Sequence, residues 1–182
     1  MSQISETQAK RRMGFAPRML ASTAAAAAIV GLALGPAWTR LGDIAARAQF
    51  HGPDPEVWAR LSPAIRVHLL AALAALGLGA VLMAARKGRR FHRLAGWGWV
   101  ALVAVTALSS LFITSLNRGG WSILHLFTGW TLIALPLAVV AARRHRVVRH
   151  RRTMMGLFYG GFALNLFVAM IPGRALWALL FG

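Results

Sequence analysis

Residues 64–85 read AIRVHLLAALAALGLGAVLMAA, and their single formal charge, Arg66, stands near the start. At a rise of about 1.5 Å per residue, a helix of this length reaches across the roughly 30 Å hydrocarbon core of a bilayer. A surface helix of a soluble domain would interrupt the run with a polar stripe. Pro63 suits the first turn of such a helix, because the missing backbone donor has no intrahelical partner there. The run ends at residues 86–93, RKGRRFHR. The stretch therefore reads as a transmembrane helix with a basic exit.

Working outward, three more apolar runs follow, at about 94–116, 121–142 and 153–171. Asn117-Arg118-Gly119-Gly120 makes a tight turn between the first two, and residues 143–152, RRHRVVRHRR, separate the second from the third. Pro136 falls inside the 121–142 run and is expected to kink it by removing a backbone donor. The last run stops at Pro172-Gly173, and residues 175–181 are too few to span. Upstream, residues 39–63 form the longest loop, holding Asp43, Asp54 and Glu56 and the turn formers His51-Gly52-Pro53-Asp54-Pro55. Within it, residues 41–50 suit a short helix on the membrane surface, and Trp38 and Trp58 suit the interface. An alanine-rich run at 20–38 precedes the loop, behind a basic segment at 1–19. A cleavable signal peptide begins similarly, but this run is long enough to span and no clean small-x-small site follows it, so an uncleaved anchor is expected. The expected fold is an all-α polytopic membrane bundle over residues 20–182, with about five transmembrane helices: a four-helix core and an N-terminal helix at its side.

Composition agrees. Of 182 residues 58% are hydrophobic and 14% charged, against about a quarter charged in soluble domains. The net charge of +17 would suggest nucleic acid on a soluble surface, but the basic residues cluster between membrane-length runs, so nucleic-acid binding is not expected. There is no cysteine, which excludes disulfides, thiolate metal sites and cysteine nucleophiles. Of the 21 lysines and arginines, fifteen lie in the N-terminal segment and the loops after the second and fourth helices; six lie in the alternate segments. By the positive-inside rule the first set is cytoplasmic, with the N-terminus inside and the C-terminus outside.

Chemistry is sparse. Glu6, Asp43, Asp54 and Glu56 all fall outside the expected spans, which disfavours a proton-coupled transporter. Ser122 and His125 share a helix without an acid to orient the histidine, so a hydrolase triad has no support. The histidines carry the best signal. His68 and His125 lie just inside the second and fourth helices, at similar depth in the outer leaflet. His92 and His150 form a second pair at the cytoplasmic entry of the third and fifth. Paired histidines on alternate helices, one pair per leaflet, are how membrane b-type cytochromes hold two haems; His68 and His125 are equally candidate metal ligands. The plainer reading has His68 and His125 bonding a carbonyl or threonine on the next helix, with His92 and His150 contacting lipid phosphate among their arginines. Thr106, Ser109 and Ser110 are placed to bond across helices. Asn165 should face the bundle, Gly156 and Gly160 form a small-xxx-small contact, and Trp130 fills the core or packs on a cofactor.

His68, Phe91-His92-Arg93-Leu94-Ala95-Gly96-Trp97, Ser122-Ile123-Leu124-His125 with Gly129-Trp130, His150-Arg151-Arg152-Thr153-Met154-Met155 and Ile171-Pro172-Gly173-Arg174 occur in that order. In this the chain resembles a family of small bacterial membrane proteins catalogued as domain of unknown function 2306. The resemblance runs from His68 to Arg174, leaving out the first helix and the outer loop. It implies a protein of the bacterial inner membrane and no particular reaction. Two expectations follow. One is a haem-b or metal-binding electron carrier, exchanging electrons with quinone or another redox partner. The other is a cofactor-free membrane subunit or assembly factor, whose histidines and arginines bind lipid or a partner helix.

Overall fold

The computed structural model describes residues 42–44, 46, 48–114 and 124–181. The expected first span and basic N-terminal segment, the turn at 117–120 and Ser122 lie outside them. The described residues hold helices and connecting turns but no strand. A short helix α1 (Pro55–Arg60) leads to α2 (Pro63–Ala84), α3 (Arg90–Ser110) and α4 (His125–Arg143). Then come α5 (Val147–Gly156), a π-helical stretch (Leu157–Ala163), α6 (Leu164–Ala169) and a short α7 (Ala175–Phe181). Three of these, α2, α3 and α4, are long and apolar enough to cross a membrane. The protein is an all-α membrane bundle.

Local chemistry sets the helix ends. Asp54 caps α1 by accepting from the Glu56 and Val57 amides, and Ser62 caps α2 through the Ile65 amide, each followed by a proline in the first turn. α3 stops at Ser110, short of the run ending at 116. The Ser109 and Ser110 hydroxyls donate to the Thr106 and Ala107 carbonyls, and the next three amides bond three residues back, so the terminal carbonyls are satisfied by a tightened turn. The basic turns reverse at left-handed residues, Gly88 (φ 81°) in the first and His145 (φ 54°) in the second. α5 begins at Val147, so much of the second arginine run, including His150, is helical rather than loop. Pro136 lies inside α4, and the helix runs on through it.

Around the bundle the order is α2, α3, α4, α5, with the π stretch closing against both α2 and α4. Hence α2 and α4 are diagonal partners, as are α3 and α5. The core is built from small residues, among them Ala75, Ala134 and Ala138, with Val103, Trp99 and Leu157 filling the rest. Small side chains let backbones approach closely where lipid offers no hydrophobic drive between helices. Leu70, Leu73, Val81, Leu108, Ile133 and Leu137 point outward, as expected of helices apolar on every face. Trp99 ties α3 to α2 by donating from Nε1 to the Ala75 carbonyl at 2.9 Å. It passes over Gly79, which has no Cβ to obstruct the indole or Phe158.

Several expectations about packing are corrected. Trp130 is 61% exposed and faces away from the core. Thr128, two residues earlier, is buried, and about 100° per residue turns Trp130 to the opposite face. Gly156 and Gly160 are exposed with nothing near their Cβ positions; Leu157 and Phe158 enter the core from that segment, and the close-contact glycine is Gly79. Trp97 lies at the surface beneath the Arg143 guanidinium, 5.5 Å from its ring centroid, whereas Trp99 is 4% exposed.

Candidate functional site

A cavity of about 330 Å³ opens at the end of the bundle away from the basic turns, between α2, α3, α4 and the last helices. Its wall is mostly aliphatic. Among the described residues its polar side chains are His68, Thr106, Ser110, His125, Thr128, Thr131, Asn165 and Arg174. His68 and His125, from diagonal helices, therefore share one cavity.

Hydrogen bonds fix much of this wall. His68 Nδ1 lies 2.9 Å from the Thr106 carbonyl on α3. A carbonyl can only accept, so Nδ1 carries the hydrogen and the lone pair of the neutral ring sits on Nε2. Ser109 Oγ is 3.3 Å from the same nitrogen and donates to the same carbonyl at 3.0 Å. Ser110 and Thr128 bridge α3 and α4 through hydroxyls 2.6 Å apart, while Thr106 Oγ1 donates back to Leu102 within its helix. The expected cross-helix role of the α3 hydroxyls is met by Ser109 and Ser110. Asn165 lies on the cavity wall, but Nδ2 donates to the Gly161 carbonyl of its own segment, so it is bonded locally rather than across the bundle.

At the basic end, His150 Nδ1 donates to the Ala138 carbonyl of α4 at 3.0 Å, which again leaves Nε2 with the lone pair. His92, on the diagonal helix α3, lies close enough to His150 for the two to interact electrostatically. Its own Nδ1 is buried without a hydrogen-bond partner among the described residues. His92 and His150 thus come together at one end of the bundle, and His68 and His125 at the other. Among the described residues no three histidines or carboxylates cluster as a bare metal ion would need.

Arg174 was not singled out as a site residue in the sequence. It follows Gly173, whose φ of 85° turns the chain back after Ile171-Pro172, and so the guanidinium joins the cavity wall. α7 then packs Leu176 and Leu179 against Leu69, while His51 and Asp54 amides bond the Leu180 and Leu179 carbonyls. The short C-terminal helix thereby fastens the loop that precedes α1 beside the cavity mouth. The only local sign of this placement is the turn-forming Pro172-Gly173 before a lone arginine.

No curated protein and no solved structure matches the chain. One family model does, that of the family described as "Predicted membrane protein (DUF2306)", over residues 65–179. That match takes in His68, His92, His125 and His150 and nearly all of the helical bundle. The chain belongs to this family of membrane proteins.

Proposed function

We propose that this protein binds b-type haem and carries electrons across a bacterial inner membrane. His68 and His125 would hold a haem at an outer site, and His92 with His150 would hold one at an inner site. The observation that carries this reading is the pairing itself: each pair joins diagonal helices at one end of the bundle, and the outer pair lines a single cavity. A ligating histidine commonly donates its other ring nitrogen to a backbone carbonyl, which fixes the tautomer and the ring. His68 and His150, one from each pair, both do so. A haem can be held by two histidines, whereas a bare ion would need more ligands than either pair supplies among the described residues. Bound there, haem iron supplies one-electron oxidation and reduction. The residues hold it, exclude water with their aliphatic wall, and keep the imidazoles in the ligating tautomer. Electrons would pass to or from a membrane partner such as quinone.

The test is a reduced-minus-oxidised absorption spectrum of the full chain, purified in detergent from cells supplied with haem precursor. Sharp α and Soret bands with about two haems per chain are expected. A flat spectrum from folded protein would discard the reading and leave a cofactor-free subunit that binds lipid or a partner helix.

We also infer the orientation. The turns between α2 and α3 and between α4 and α5 carry Arg86, Lys87, Arg89, Arg144 and Arg146 at one end of the bundle. The positive-inside rule assigns that end to the cytoplasm, where the arginines meet anionic lipid. Alkaline phosphatase fused after Gly182 is expected to be active, and fused within residues 86–89 inactive. The reverse pattern would invert the topology.

A further inference from the structure

Among the described residues, nothing in the cavity wall neutralises Arg174. Among the described residues no carboxylate lines the cavity, and Asp54, one of the acids of the nearby loop, uses its side chain to cap α1. Arg174 Nη1 is buried without a hydrogen-bond partner among the described residues. Arg66, another arginine near this end, shows the contrast: its guanidinium donates to the Leu61 and Ala59 carbonyls, at 2.8 and 2.7 Å, outside the cavity. A guanidinium buried in an apolar wall is costly unless an anion or acceptor meets it. The cavity is otherwise apolar apart from hydroxyls, an amide and two imidazoles, so its occupant should be a hydrophobic molecule carrying a carboxylate.

We propose that Arg174 is the anion anchor of the outer cavity, pairing with a carboxylate on its ligand. The inference rests on the haem reading above, under which that carboxylate is a haem propionate. Arg174 would then hold the carboxylate of the ligand, while His68 and His125 would hold its iron. Arginine suits the role because its planar fork can meet a carboxylate with two parallel hydrogen bonds.

The experiment compares haem b with its dimethyl ester, in which both carboxylates are masked. Full-length protein carrying His150→Ala, so that only the outer pair ligates, is titrated in detergent with each compound, alongside the same protein with Arg174→Gln or Arg174→Lys. With Arg174 present, haem b should bind about 10- to 100-fold more tightly than the ester, as expected for a charge-assisted hydrogen bond. Arg174→Gln should bring haem b to the ester's affinity and leave the ester unchanged, and Arg174→Lys should recover part of the difference. Equal weakening of both compounds would make Arg174 structural, and undiminished discrimination in Arg174→Gln would place the carboxylate elsewhere; either outcome overturns the anchor while leaving the haem reading standing. A competing fatty carboxylate that displaces neither compound would agree with a propionate partner, and one that displaces the ester through Arg174 would assign the anchor to a lipid instead. Folded protein that binds neither compound would overturn both readings.

Discussion

Gly79→Leu should prevent the bundle from closing, and Gly79→Ala should destabilise it by about 2–4 kcal/mol. A Cβ at Gly79 would sit 2.5 Å from Phe158 Cε2 and 2.7 Å from Trp99 Nε1. Neither neighbour can move cheaply. The Trp99 indole is buried and held by its bond to the Ala75 carbonyl, and Phe158 belongs to the π stretch that packs on the same core. Pushing the indole away breaks that bond and leaves a buried N–H and a strained contact, so two costs add. A leucine brings three further carbons into a space that does not admit one. Gly77 provides the control. It lies on the same helix, and nothing stands within 4 Å of its Cβ position, so Gly77→Ala should be neutral or slightly stabilising through helix propensity. Thermal unfolding in detergent, followed by circular dichroism and size-exclusion profile, measures both. Equal stability of the two alanine variants would mean that α2 does not pack on Trp99 through Gly79.

That contrast also shows how far the sequence could be read. The membrane bundle was legible because twenty-residue apolar runs between basic clusters have few other uses. The histidine pairs were legible because each lies near a helix entry, and entries at the same end of a bundle are brought together by alternation alone. Facing was not legible. On a helix apolar all round, no polar stripe marks the outside, so Trp130 and Trp99 carry the same signal although one faces outward and the other is buried. The glycines pose the same problem: Gly79 makes the close contact and Gly77, Gly156 and Gly160 do not, a distinction decided by Trp99 and Phe158 from elsewhere in the chain. The π stretch and the early end of α3 depend on which carbonyls the side chains reach, and the His68–Thr106 bond spans residues far apart in sequence. Arg174 enters the cavity through a turn whose residues identify a bend without its direction.

If the proposed haem reading holds, substituting His68 should remove about half of the haem, with the loss confined to the site shared with His125; His150→Ala should remove the other half, and the double variant nearly all. The choice of His68 rests on its second ring nitrogen. Since Nδ1 is committed to the Thr106 carbonyl, Nε2 is the atom that can ligate, and the bond to α3 holds the ring against rotation. Its replacement by alanine costs the fold little by comparison, because the Thr106 carbonyl keeps the Ser109 hydroxyl as a donor. His68→Gln sharpens the test: an amide can preserve a hydrogen bond to that carbonyl, yet it is a poor axial ligand for haem iron. Ligation therefore predicts that alanine and glutamine variants lose the outer haem alike while unfolding near the parent temperature. Haem stoichiometry by pyridine haemochrome, read beside a redox titration resolving the two components, measures the outcome. Glutamine retaining haem that alanine loses would make His68 a packing residue holding α2 to α3. If instead both variants kept the full complement, the outer cavity would have to be assigned to a ligand other than haem, with the four histidines serving as hydrogen-bonded ties between helices.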